Sequence, residues 1–211
     1  DTNPRPGSIG GWRLTLLKCC AAGAPILRLS DNTTTYLEHG PPVIVDAGIS
    51  VSDPDTPDFG GGRLPATLTP NGTPDDRLAI RNEGTGNGQI GVSGSAVSYS
   101  GQTMGNFSGG LGQASPLVIN LTNSSATAMA VQALARNVTF ANVATDLSNA
   151  TRTVSFVLSD SGGQTNAPAS KSVQVVPSND APSLTPNITP VLTAILEDVP
   201  EAQNAGTKVS I

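Results

Sequence analysis

From Thr34 onward, short apolar runs alternate with clusters of Gly, Pro, Asn and Asp every 8 to 15 residues. This punctuation is the feature that most limits the fold, because it breaks the chain into strand-sized pieces. With 23 glycines and 17 prolines among 211 residues, no long helix can keep these residues out of its interior, where they cost about 1 and 3 kcal/mol each. The pattern predicts an all-β fold, specifically an antiparallel Greek-key β-sandwich. Strands are expected at 42–46, 49–52, 63–69, 77–81, 89–93, 96–100, 117–122, 138–143, 152–158 and 172–176. Within 152–158, Val154, Phe156 and Leu158 fall on one face and Thr153, Ser155 and Val157 on the other. One stretch departs from this pattern. Residues 125–136 (SATAMAVQALAR) hold no Gly or Pro and are rich in Ala, Leu, Met and Gln, which predicts a short helical insertion opening at Ser125.

Charge and hydropathy remove other classes. The net charge is −5, and no basic stripe is present to neutralise phosphates, so a nucleic-acid partner is not expected. No run of 18 apolar residues exists, so no helical membrane span is expected. Hydrophobic residues make up 37% of the chain, enough to supply a core rather than a disordered tract. The two cysteines, Cys19 and Cys20, are adjacent. They read either as unbridged thiols or as a link to another chain, since neighbours close only a strained ring. The apolar stretch around them follows two prolines and three glycines and reads as a mature N-terminal segment rather than a secretion signal.

The two ends of the chain echo each other. Ala24-Pro25-Ile26-Leu27 returns 157 residues later as Ala181-Pro182-Ser183-Leu184, and Glu38 returns 159 residues later as Glu197. The spacing points to a repeat unit. It divides the chain into an N-terminal extension or end of a preceding unit (1–30), a β-sandwich repeat (31–182), and a linker with the first strand of a next repeat (183–211). That last strand is a candidate donor for strand addition to a neighbouring copy, which would give head-to-tail polymers.

Four acidic groups could carry chemistry: Glu38, the Asp53-Pro54-Asp55 pair, Asp160, and Asn179-Asp180. Calcium takes six to eight oxygen ligands from carboxylates, amides and carbonyls, and a D-x-D loop offers two carboxylates to one ion. The same residue types also serve as ordinary turn formers. The segments TYLEHGPPVIVDAGISVSDPD, LARNVTFANVA, TRTVSFVLSDSGG and VQVVPSNDAP, in that order, resemble the bacterial-type cadherin-like tandem repeats of large secreted or cell-surface adhesin-like proteins. The resemblance covers 34–182 and resumes at Glu197. It implies a cadherin/Ig-like sandwich whose linker carboxylates and domain-end acids bind Ca2+ and stiffen the string of domains. Carried over by position, the implied ligands are Glu38, Asp53, Asp55, Asp160, Asn179, Asp180 and, for the next repeat, Glu197. The sequence departs from the pattern before Ala24, where Ala-Gly stands in place of Asn-Asp.

Enzymatic readings find little support. Asp160-Ser161-Gly162-Gly163 matches the DSGG core around a trypsin-like nucleophile, but Ser159 replaces the leading Gly and His39 is the only histidine. Aromatics are 3% of the chain, too few for the platforms of a sugar-cleaving cleft. The Gly-rich stretch 84–94 lacks both a G-x-G-x-x-G leading into a helix and a P-loop Lys. Eight of 15 asparagines, at 32, 71, 106, 120, 123, 137, 149 and 187, begin N-x-S/T, against about three expected by chance, which fits either N-glycosylation or a Thr/Ser/Asn-rich surface. The expectation is a non-enzymatic, structural, extracellular or cell-surface module of an adhesin, sheath or filament. Its partners would be neighbouring copies or adjacent repeats, with calcium and surface glycans as further candidates. The alternative is a glycan- or protein-binding adhesion module using loops such as 82–88 and 101–113.

Overall fold

The structure, a computed structural model, describes residues 23–179. Cys19, Cys20, Asp180, Asn187, Glu197 and the donor-strand segment therefore lie outside the described residues. The chain divides into two compact units, Asp1–Ser178 and Asn179–Ile211, and all the strands and the helix of the described residues belong to the first.

Among the described residues thirteen strands form three sheets, accompanied by one helix. The strands are β1 (Ile26–Arg28), β2 (Thr34–Leu37), β3 (Val43–Ile44), β4 (Ser50–Ser52), β5 (Arg63–Leu68), β6 (Asp76–Ile80), β7 (Ile90–Ser93), β8 (Ala96–Tyr99), β9 (Gln102–Ser108), β10 (Leu117–Leu121), β11 (Val138–Asn142), β12 (Arg152–Phe156) and β13 (Ala169–Val176). The helix α1 (Ala128–Arg136) lies between β10 and β11. The largest sheet runs β2-β13-β12-β5-β10-β9-β8-β7, a second runs β3-β11-β6, and β1 pairs with β4. The fold is mostly β-sheet with one helix, as the turn punctuation predicts.

The large sheet is mixed rather than wholly antiparallel, because β2 runs parallel to β13 with Leu37 opposite Val176. Alternation along a strand fixes which face is buried but says nothing of direction, so the sequence pattern could not distinguish the two cases. β1, which precedes the expected start at residue 31, pairs with β4 through Leu27 and Val51.

The strand β9 falls where the sequence reads as a loop. Its Gly105 lies so close to β10 that a Cβ there would meet the Asn120 carbonyl oxygen at 2.1 Å. A residue that looks like a strand breaker is thus one that the strand contact requires. The tight β8–β9 hairpin turns through Ser100 and Gly101, both at positive φ (50° and 77°), the geometry of the turns that match strand twist.

The buried apolar residues form one cluster drawn from all three sheets and the helix. Val154, Phe156 and Leu158 are fully buried in it, as their alternation predicts. The chain changes sheets at α1, which links β10 of the large sheet to β11 of the three-stranded one. Its N-cap is Thr127, whose side chain accepts the Ala130 N–H, two residues beyond the expected Ser125. Tyr36 meets Phe140 edge to face at 5.3 Å and donates its hydroxyl to the Asn142 carbonyl at 3.0 Å, tying β2 to β11.

The N-x-S/T asparagines are not equivalent. Six of the seven described are exposed, and Asn137 is buried. Asn137 donates to Glu83 Oε2 and Ala133 O and accepts from Arg81 Nε. Its amide is internal to the fold, which corrects the reading of that position as a glycan acceptor.

Candidate metal centre

Asp53 and Asp55 lie in the loop after β4, and Asp160 in the loop after β12. The fold brings these three carboxylates together, with one oxygen from each within 4.8 Å of the others. Local geometry arranges the first two. Asp53 Oδ1 accepts the amides of Asp55 and Thr56, both at 3.1 Å, an Asx turn that closes the loop. Asp55 Oδ2 accepts the Gly23 amide at 2.8 Å, so the loop sits where the chain leads into β1. A turn also presents Asp160. Its Oδ1 accepts the Gln164 amide at 2.9 Å, and its own amide donates to the Gln164 carbonyl at 3.0 Å.

Two glycines, Gly61 and Gly62, build the wall behind Asp160. A Cβ on Gly62 would lie 2.1 Å from the Ser159 carbonyl oxygen, and Gly61 has φ +96° against Ser161. The β5 end can approach the Asp160 loop this closely only without side chains.

What remains is a set of oxygens without partners. Asp53 Oδ2, Thr56 Oγ1 and Asp160 Oδ2 are buried and accept or donate no hydrogen bond, and Asp160 is only 2% exposed. Buried polar atoms are normally satisfied, so the unpartnered oxygens of Asp53 and Asp160, in two of the three clustered acids, leave acceptor capacity for a ligand. None of the three carboxylates is ion-paired with a described Lys or Arg. Two carboxylates about 5 Å apart repel by about 3 kcal/mol at an effective dielectric of 20. Burial raises the Asp53 carboxyl, but the amides of Asp55 and Thr56 outweigh it, leaving the group below the ordinary carboxylate range and ionised at neutral pH. An all-oxygen, anionic, partly dry donor set suits a hard divalent cation.

The other sequence-predicted residues lie elsewhere. Asp160 lies beyond the end of β12 that faces the start of β13, and Glu38 lies beyond the end of β13. The seven residue steps of β13 between them separate the two sites by about 23 Å. Glu38 is buried, with Oε1 accepting the Leu147 amide and Oε2 the Ser178 amide, each at 2.7 Å. It clips the chain where β13 ends. Asn179 is exposed. His39 follows Glu38 and so stands at the far end of the sheet from Ser161. Thr56 and the glycine wall were not singled out from sequence. The run of three glycines beside a D-P-D-T loop was the available signal.

Acid should weaken the fold through three carboxyls. The Ser178 amide, against the cost of burial and helped by Leu147 and His39, holds Glu38 below its ordinary value. Asp46 is raised by burial, but the Ser30 hydroxyl, the Gly48 and Ser30 amides and Lys171 bring it below its ordinary value. Each group, Asp53 included, binds its proton more weakly folded than unfolded. Their stabilisation is therefore complete above the unfolded values of 4.5 for Glu38 and 3.8 for the aspartates, and is lost as pH falls below them. Chemical denaturation across pH 7 to 3 should show a plateau that turns down below about 4.5. A midpoint unchanged down to pH 3 would contradict the assignment.

No protein-family model, no curated protein and no solved structure matches this chain.

Proposed function

We propose that this chain is a structural, non-enzymatic repeat module of an extracellular or cell-surface protein, an adhesin, sheath or filament, whose junctions calcium stiffens. The observation that carries the reading is the trio Asp53, Asp55 and Asp160, with two orphaned carboxylate oxygens beside the point where the chain leads into the first strand. Support also comes from Glu38, which fastens the opposite end of the sheet, where β13 ends. A module anchored at both chain ends transmits load along its length, and an ion at the leading end neutralises charge that otherwise repels. Strand addition between copies would use β2 rather than β7. Asn82 covers the β7 edge by accepting from the Val92 amide and donating to its carbonyl.

The test is thermal unfolding in about 10 mM Ca2+ against chelator. Extracellular calcium modules have Kd of about 10⁻⁴ to 10⁻³ M, so stabilisation reaches about 2.7 kcal/mol at a hundredfold excess over Kd. For a chain of this size that raises Tm by about 5 to 10 °C. Asp160→Asn should behave oppositely in the two conditions. It relieves repulsion and raises Tm in chelator, while abolishing the calcium shift. A wild-type Tm that ignores calcium, or a calcium shift retained in Asp160→Asn, would sink the reading.

The alternative, a glycan-binding adhesion module, draws on a cleft of about 220 Å³ lined by Asn82, Thr85, Ser93, Ser98 and Thr103 among others. Ligand pockets commonly exceed about 300 Å³ and carry aromatic walls. The cleft has no aromatic lining residue, so the junction reading stands first.

A further inference from the structure

We propose that Lys171 and Asn32 are joined by an intramolecular isopeptide bond, which would tie the last strand of the large sheet to the turn between β1 and β2. Lys171 points inward from β13 and is 4% exposed. Its ammonium nitrogen is held among oxygens: Asn32 Oδ1 at 2.7 Å, Ser30 O at 2.8 Å, Ser30 Oγ at 3.1 Å and Asp46 Oδ2 at 3.3 Å. The amide carbon of Asn32 lies one C=O bond, about 1.23 Å, beyond Oδ1, so nucleophile and electrophile are already neighbours. Asp46 is 1% exposed. It is held by the Ser30 hydroxyl at 2.6 Å and by the Ser30 and Gly48 amides, both at 2.8 Å. The Ser30 hydroxyl also contacts Asn32 Oδ1.

These groups supply every part that amide exchange needs. Asp46 takes a proton from the Lys171 ammonium. The freed Nζ electron pair forms a bond to Asn32 Cγ, and the carbonyl π pair moves onto Oδ1, beside the Ser30 hydroxyl. Asp46 passes its proton to Nδ2, the Oδ1 pair re-forms the carbonyl, and the Cγ–Nδ2 bond breaks with its electron pair on nitrogen, which departs as ammonia. A second proton passes from the Lys171 nitrogen to Asp46, so of the three ammonium protons one stays on the new amide, one leaves with ammonia and one rests on Asp46. One amide C–N bond forms and one breaks, so no oxidant, reductant or water is consumed. Asn32 is exposed, which gives the ammonia a way out. The reaction occurs once per molecule, so it need only finish within the protein's lifetime. Fixed neighbours act at effective molarities of about 10⁵ M or more.

The bond would close a covalent ring between residues 139 positions apart. Force applied at the ends of the module would then meet a covalent link across β13 instead of hydrogen bonds alone.

The experiment is the intact mass and peptide map of the whole chain, produced in a host without N-glycosylation and shown to melt cooperatively. The expected mass is one ammonia below the sequence mass. Denaturing digestion should yield a branched peptide joining the segments around Asn32 and Lys171, with no tryptic cut after Lys171. Asn32→Ala should keep its full sequence mass. Asn32→Asp should lose water instead and reach the same final product as the wild type. Two results would overturn the proposal: a folded wild-type chain at full sequence mass, or an ammonia loss that maps to a linear peptide.

Discussion

Arg152→Met is expected to lower the free energy of unfolding by about 3 to 5 kcal/mol, read from the urea midpoint at constant m-value. Arg152 and Asp76 are 1% and 0% exposed, and Arg152 Nε lies 3.2 Å from Asp76 Oδ2. Asp76 also accepts from Asn142 Nδ2 and from the Thr73 amide, both at 2.7 Å. The guanidinium donates to the Ser148 and Ala150 carbonyls as well. Because Arg152 belongs to β12 and Asp76 to β6, this network joins the large sheet to the three-stranded one. Removing the cation leaves a buried carboxylate whose desolvation is no longer repaid. The double change Arg152→Met with Asp76→Leu removes both charges and should recover most of the loss. If it costs as much as the single change, packing rather than the ion pair holds the sheets together.

Gly62→Ala is the second large effect. The added Cβ would meet the Ser159 carbonyl oxygen at 2.1 Å and its carbon at 3.0 Å, and neither is the yielding end of a flexible side chain. Either the start of β5 or the Asp160 loop must move. The expected loss is about 3 kcal/mol, the upper end of ordinary overpacking. Where the Asp160 loop is the side that yields, Asp160 shifts relative to Asp53, and the calcium-dependent rise in Tm should disappear with it. Gly163→Ala is the control. That residue has φ +82° but nothing within 4 Å of its would-be Cβ, so it should cost about 1 to 2 kcal/mol through backbone strain alone. Gly62→Ala with an intact calcium response would show that the glycine wall does not position Asp160.

Local signals made much of the fold legible. Strict alternation announced β12, and an Ala- and Leu-rich run without Gly or Pro announced α1. Both depend on neighbours in sequence. β1 and β2 were not legible because neither ILR nor TTYL alternates apolar with polar residues. β9 was hidden by Gly105, whose role is visible only once the Asn120 carbonyl stands opposite it. The parallel pairing of β2 with β13 is likewise a long-range choice.

The candidate site divides the same way. Asp53 and Asp55 are two residues apart in a turn, so their pairing could be read from spacing. That Asp160 joins them across 105 residues had no local signal, and the resemblance to cadherin-like repeats put it in one set with Glu38, which lies elsewhere. The amides of Leu147 and Ser178 that occupy Glu38 have no local signature at all. Nor does the cage around Lys171, where Ser30, Asn32 and Asp46 meet a residue 125 or more positions away.

Calorimetric titration of the chelator-treated chain with Ca2+ tests directly the proposal that Asp53, Asp55 and Asp160 hold calcium. Saturable binding is expected with Kd of about 10⁻⁴ to 10⁻³ M, lost in both Asp53→Asn and Asp160→Asn. Absence of binding up to about 10 mM, or binding undiminished in those variants, would contradict it.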